Sequence, residues 1–277
     1  GTPDDPDAIA GWRGVPLEFP RIQGIDVVGV VADVGSDGDR HLVGRKVLVD
    51  PIITYEEGFP TAVIGSEADG GFAQYLLSAT DRLYDVSDSP LTDEQLACLP
   101  TAYGTAMGMI NRAGCTAGER VLVTGSSGGV GMAAVQILAS RSCRVVAYTS
   151  PGKTEIVAAA GPSEIIVRGE DDISAIAEVD AVVDVVGGPE FGAFVDRLRP
   201  GGRLVTAGAI AGPVVQLDVR RLYLRQRTLI GSTMHTPAVF ADLAAFCRSR
   251  GQSLLDYLHD IFRRFGIYTS AQHSVTL

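Results

Sequence analysis

The hydrophobic positions change rhythm along the chain. In residues 24–37, "GIDVVGVVADVGSD", β-branched residues form a short block that ends in a turn. "RKVLVD" (45–50) and "GGFAQYLLS" (70–78) repeat that texture. Short apolar runs between turn signals predict strands, so the chain up to about residue 80 reads as all-β. From residue 91 the spacing becomes helical in "LTDEQLACLPTAYGTAMGMINRAG", with Thr92 or Asp93 as N-cap. Strands and helices then alternate. "RVLVTG" (120–125) leads to a helix over 130–140, and "RVVAYT" (144–149) to a helix over 153–160. "EIIV" (164–167) and "DAVVDVVG" (180–187) precede a helix over 189–198, and "GRLVTAGA" (202–209) and "RTLIGS" (227–232) follow. Such alternation predicts βαβ units in a doubly wound parallel sheet. The fold class is therefore α/β, with a β-rich domain joined to a Rossmann-type one.

The stretch "VLVTGSSGGVGMAAVQ" (121–136) sits at the first strand-to-helix turn of the alternating part. Ser126, Gly128 and Gly131 occupy the three positions of G-x-G-x-x-G, serine replacing the first glycine, while Gly125 and Gly129 add freedom. A diphosphate needs a tight turn, close backbone approach and a helix N-terminus with free N–H groups. A strand before and a helix after make this a dinucleotide site, lined by Gly125 through Gly131, Ser127 and Val130 included. The second strand bears on which dinucleotide. An NAD site carries Asp or Glu at its end to bond the ribose 2′-hydroxyl. Here the end reads "VVAYTSPGK", with Thr149, Ser150 and Lys153, and no carboxylate to repel a 2′-phosphate. The expected cofactor is NADPH.

Composition narrows the partners. The 277 residues are 46% hydrophobic and 20% charged, with a formal net charge of -10, which excludes general attraction to nucleic acid or anionic lipid. The densest basic group, "RRLYLRQR" (220–227), alternates with Leu and Tyr and reads as a solvated surface edge. Cys98, Cys115, Cys143 and Cys247 form no CxxC pair and no zinc spacing, so reduced thiols of a cytoplasmic protein are expected. No apolar run approaches the roughly 18 residues that cross a membrane. The expected partner is a small-molecule substrate.

At this point the chain resembles a known family, the medium-chain dehydrogenases/reductases, which includes alcohol dehydrogenases and quinone oxidoreductases. The matching segments run in order from 19 to 236: "FPRIQGIDVVGVVADVG", "VGRKVLVDP", "DGGFAQYLL", "LPTAYGTA", "VTGSSGGVGMAAVQ", "DAVVDVVGG", "LRPGGRLVTAGAIAGP" and "LIGSTMHT". The resemblance implies a GroES-like domain over 1–100, a Rossmann NADP-binding domain over 101–250 and a return segment over 251–277. It also implies a homodimer joined through the edge "RTLIGSTM". Thr101 would touch the nicotinamide side, Val130 would lie beneath the ring, and Val185, Gly187 and Ala207–Ala209, with Gly208 between, would line the channel. Gly231 and Ser232 would approach the carboxamide. Only 18 residues precede the first matching segment, fewer than family members carry, so the first strands of the β domain are expected to be missing.

Zinc is where the chain departs from the metal-dependent branch. Ile25 occupies the position of the histidine ligand and Ala97 that of a cysteine ligand, and the segment between "VLVDP" and "DGGFAQY" has no cysteine. A catalytic zinc needs three protein ligands, so no metal is expected. The zinc-free branch resembles quinone oxidoreductases and enoyl reductases, in which hydride passes to a quinone or an activated C=C. Candidate catalytic residues are Tyr103, Asp26 and Tyr55, with Thr105 as a further donor; the four histidines are set aside, although His235 lies nearest the expected site. Two alternatives remain: a non-redox nucleotide-binding member, and a zinc alcohol dehydrogenase.

Overall fold

The computed structural model describes residues 18–249. They divide into two compact units: one holds the described residues up to Thr101 and from His235 onward, the other Ala102–Met234.

In the first unit, β1 (Val27–Val30), β2 (Lys46–Val49) and β5 (Leu83–Asp85) form an antiparallel sheet in the order β1-β2-β5. Val27 faces Val49, which faces Leu83 across the next ladder. Val27, Val49, Ile64 and Leu76 make the core beneath it. A separate hairpin joins β3 (Ile52–Glu56) to β4 (Phe59–Val63). Its two-residue turn, Glu57 at φ 50° and Gly58 at φ 82°, has the doubly left-handed geometry that matches strand twist. Helix α1 (Asp93–Ala97) begins with a capping box between Thr92 and Gln95. The last described helix, α7 (Pro237–Ser249), buries Phe240 edge-on against Tyr84, ring centroids 5.0 Å apart. The chain thus returns to this unit at His235, before the expected return at 251, and residues 251–277 lie outside the described residues.

The expected strand over 70–78 is a correction. Gly70, Gly71 and Phe72 donate backbone bonds to Ile22, Gly24 and Gln23, at 2.8, 2.8 and 2.9 Å, and the segment then leaves the sheet. Phe72, Tyr75 and Leu77 are exposed while Leu76 is buried, so the apolar residues of this segment do not share one buried face. Close backbone packing explains the glycines, since a Cβ on Gly70 would stand 2.2 Å from the Gly24 carbonyl oxygen.

The second unit is a six-stranded parallel sheet. Its strands are β6 (Arg120–Val123), β7 (Arg144–Thr149), β8 (Glu164–Val167), β9 (Val179–Asp184), β10 (Leu198–Thr206) and β11 (Thr228–Gly231). They run in the order β11-β10-β9-β6-β7-β8. Helices α2 (Pro100–Ala113), α3 (Gly129–Ser140), α4 (Thr154–Ala158), α5 (Phe191–Arg197) and α6 (Arg220–Tyr223) connect or flank them. The chain winds outward from β6 to β8, returns beside β6 as β9 and winds outward again. That reversal is a topological switch point, where doubly wound folds bind ligands at the carboxyl ends of their strands. Central strands carry unbroken apolar runs because both faces are covered; Val121, Leu122 and Val123 are fully buried. The basic stretch 220–227 is only partly a solvated edge. Arg220, Arg221 and Arg225 pair at the surface with Asp218, Asp196 and Glu178. Arg227 is buried and donates to the carbonyl oxygens of Arg221, Asp196 and Leu198.

Candidate functional site

In the second unit, the ends of β6, β7, β8 and β9 open on a cavity of about 440 Å³. Its floor is the glycine loop. Gly125 has φ 57°, a left-handed turn that releases the chain from β6. Gly128 donates to the Gly125 carbonyl at 2.9 Å and closes the loop. A Cβ on Gly131 would lie 2.2 Å from the Gly125 oxygen, so α3 can start this close to β6 only with glycine there. A Cβ on Gly128 would meet no atom closer than 3.4 Å, which leaves that face of the loop open to a ligand. Gly125, Ser127, Gly128, Gly129, Val130 and Gly131 all line the cavity. The first-turn N–H groups of α3, which have no acceptor within the helix, stand at its mouth.

Ser126 is a correction. It is fully buried, does not line the cavity, and donates its hydroxyl to the Tyr148 carbonyl at 3.0 Å. The serine that replaces the first glycine therefore tethers the loop to β7 rather than facing a ligand.

At the end of β7, Thr149 and Ser150 line the cavity. Thr149 is 2% exposed, and its hydroxyl oxygen has no hydrogen-bond partner among the described residues. Ser150 Oγ accepts a hydrogen bond from Arg168 Nη2 at 3.3 Å, and the Arg168 backbone N–H donates to the Thr149 carbonyl at 2.8 Å. Arg168 lines the cavity, whereas Lys153 lies off its wall at the start of α4. Lys153 was the cation expected here; Arg168 is the one that lines this cavity. The parallel register carried the signal: Thr149 faces Val167, so Ser150 and Arg168 are the next pair.

The far wall is Tyr148, Val185, Val186, Glu190, Phe194 and Ile210. Tyr148 donates its hydroxyl to Glu190 Oε1 at 2.8 Å, and burial together with this carboxylate pushes the phenol pKa up. Behind the wall, the fully buried Asp184 ties three strand ends together. It accepts from the hydroxyls of Thr124 at 2.7 Å and Thr206 at 3.1 Å and from the Gly187 N–H at 3.1 Å. Gly187, Ala207, Gly208 and Ala209 sit behind the lining rather than in it. Gly208 is needed because a Cβ would come 2.3 Å from the Val185 oxygen, and one on Gly187 would come 3.2 Å from Ala209 Cα. Gly231 ends β11 and accepts from Arg112 Nε at 3.0 Å, while Ser232 donates its N–H to Thr206 at 2.9 Å and buries an unpaired hydroxyl.

The first unit holds a second polar group. His235 Nε2 and Asp50 Oδ1 are 2.9 Å apart, with side chains 0% and 3% exposed. Tyr55 donates its hydroxyl to the His235 carbonyl at 3.3 Å, and burial and the Asp50 charge push its pKa up. Asp26 accepts the Thr101 N–H at 2.8 Å, and burial raises its pKa against its hydrogen bonding with Thr101. His235, set aside in the sequence, and Asp50, which the sequence did not single out, join Tyr55, and Asp26 joins Thr101. Tyr103 is not with them: it is buried in the second unit and donates to Gln136 Oε1, as Thr105 there donates to the Met234 sulfur at 3.8 Å.

Comparison with known proteins was made against this geometry. The family model for the alcohol dehydrogenase GroES-like domain matches residues 4–88, and that for the zinc-binding dehydrogenase matches 129–249. The acryloyl-coenzyme A reductase of Sulfurisphaera tokodaii is 30% identical over 235 residues, 79% of this chain and 70% of that protein. The chain belongs to the medium-chain dehydrogenase/reductase superfamily. The quinone oxidoreductase of Homo sapiens is another member, 28% identical over 226 residues, 78% of this chain and 63% of that one. Among solved superfamily structures, a Sinorhizobium meliloti protein described as a candidate alcohol dehydrogenase is 37% identical with a TM-score of 0.82. The alignment covers 97% of this chain and 80% of that chain. The 2-octenoyl-CoA carboxylase reductase CinF, solved with NADP and 2-octenoyl-CoA, is 28% identical with a TM-score of 0.73. That alignment covers 83% of this chain and 60% of that chain. The expected α/β fold stands, and these relatives support an oxidoreductase. No helix among the described residues is long and apolar enough to cross a membrane.

Proposed function

We propose that this chain is an NADPH-dependent reductase that delivers hydride to an activated C=C, with a 2-enoyl thioester as the favoured substrate class and a quinone as the alternative, and that it works without zinc. The observation that carries the cofactor choice is the Ser150–Arg168 pair beside the unpartnered Thr149 hydroxyl. A guanidinium and two hydroxyls stand at the strand end where an NAD site would carry a carboxylate, and Arg recognises phosphate bidentately. The open face at Gly128 and the start of α3 would hold the diphosphate. Bound nicotinamide supplies the hydride, so the protein's own part is to orient and to hold charge. The names of the acryloyl-coenzyme A reductase and CinF support the thioester.

The absence of zinc rests on residue types. Ile25 and Ala97 offer no metal donor at the two ligand positions they occupy. Among the described residues, no three His, Cys, Asp or Glu side chains come together as a metal site. The acceptor must then be electrophilic already, which favours an enoyl or quinone substrate over a plain ketone. Tyr55 is the proposed hydrogen-bond donor to the acceptor's oxygen. Its raised pKa keeps the phenol protonated, and Asp26 fixes the Thr101 backbone. Both phenols are engaged, but Tyr103 holds Gln136 closely whereas Tyr55 makes only a long 3.3 Å bond to the His235 carbonyl, so Tyr55 is the one proposed to exchange its partner for a substrate oxygen.

The test is calorimetric binding of NADPH and NADH to the chain and to Arg168→Ala, with NADPH oxidation assayed on a small 2-enoyl thioester, an enone and a quinone. Arg168→Ala is expected to weaken NADPH by about 10- to 100-fold, as for the loss of a charged hydrogen bond, and to leave NADH unchanged. Equal affinity for the two cofactors in the unaltered chain would overturn the NADPH reading.

A further inference from the structure

Once the diphosphate is assigned to the glycine loop and the ribose phosphate to Ser150 and Arg168, the wall of Tyr148, Val186, Phe194 and Ile210 remains without an occupant. It is apolar, as a flat base requires, except for Glu190. Glu190 stands immediately before α5, half-buried, and its Oε1 accepts the Tyr148 hydroxyl at 2.8 Å. The Tyr148 ring is itself held edge-on by Phe194, centroids 5.1 Å apart. The carboxylate therefore has a fixed direction. A negative charge in a cavity that receives phosphates is unfavourable unless a donor meets it. Tyr148 meets Oε1, which leaves Oε2 as an acceptor, and the donor that a flat base held against this apolar wall would bring to it is the adenine 6-amino group.

We infer that Glu190 accepts a hydrogen bond from the adenine 6-amino group and makes this cavity selective for adenine over hypoxanthine dinucleotides. The inference rests on the dinucleotide reading above. In hypoxanthine the amino group is replaced by a carbonyl oxygen, which faces the carboxylate acceptor to acceptor. A site built to bond a polar group discriminates strongly against the analogue that lacks it.

The test measures dissociation constants by calorimetry for NADPH, NADH and their hypoxanthine counterparts, on the unaltered chain, Glu190→Ala and Glu190→Gln. The glutamine variant keeps an acceptor for Tyr148 and guards against a folding defect in the alanine variant. The unaltered chain is expected to prefer adenine over hypoxanthine by about tenfold. That ratio should shrink with glutamine and approach one with alanine, with the preference for NADPH over NADH intact throughout. Equal binding of adenine and hypoxanthine forms by the unaltered chain would overturn the inference. So would a full preference retained in both variants, or a loss in Glu190→Ala confined to NADH, which would assign the carboxylate to a ribose hydroxyl. A chain that prefers adenine through Glu190 but does not distinguish NADPH from NADH would sustain this inference and overturn the 2′-phosphate reading. A chain that binds none of the four would overturn both.

Discussion

Individual residues in this protein are constrained by contacts that allow sharp expectations. Gly131 is among the tightest: with a Cβ 2.2 Å from a backbone oxygen, Gly131→Ala must push α3 away from the loop. Overpacking of this kind costs about 1–3 kcal/mol. Chemical denaturation of the variant should show that loss, and calorimetry should show dinucleotide binding weakened at the same time; an alanine variant with unaltered stability and binding would contradict the loop geometry. The Asp50–His235 pair is equally exacting. Removing one partner of a buried pair leaves the other polar group without compensation, at about 1–3 kcal/mol. Asp50→Ala should therefore destabilise far more than Asp81→Ala, a change at an exposed carboxylate. Neither partner was legible as part of a pair, because 185 residues separate them and only the fold brings them together.

Elements show where sequence pattern succeeds and where it fails. The six parallel strands were legible as short β-branched apolar runs alternating with helical segments, and Thr92 or Asp93 as N-cap announced the start of α1. The segment over 70–78 misled because glycine-to-glycine backbone packing, rather than a buried side-chain face, fixes it. The β3–β4 hairpin was missed although Glu57-Gly58 is a turn signal. In the cofactor cavity the glycine loop was legible as a local motif, whereas Arg168 enters through strand register, 18 residues from Ser150. At the opposite end of the sheet, Arg203 on β10 holds Glu119 before β6 through two hydrogen bonds, Nη1 to Oε1 at 2.8 Å and Nη2 to Oε2 at 2.6 Å. Those bonds hold the Glu119 carboxyl below its ordinary value. A depressed folded pKa adds stability above the unfolded value, and that stability is lost as pH falls through the folded one. The melting temperature of Glu119→Gln should thus lie below that of the unaltered chain near neutrality, and the gap should close in acid below the ordinary glutamate range. A gap independent of pH would show that the ion pair contributes nothing.

For the whole molecule, the account turns on one cavity at a topological switch point, with a glycine loop on its floor and an arginine–serine pair where an NAD site would carry a carboxylate. A ligand that binds only the folded chain stabilises it by mass action, by about 2.7 kcal/mol at a hundredfold excess over its dissociation constant. NADPH should accordingly raise the melting temperature more than NADH at equal concentration, and Arg168→Ala should abolish the difference. The most direct measurement of the central claim is nonetheless the paired one, calorimetric affinity for NADPH and NADH followed by NADPH oxidation on a 2-enoyl thioester without added metal. The account predicts tighter NADPH binding and turnover that a chelator does not reduce. Preference for NADH, or turnover that requires zinc, would contradict it.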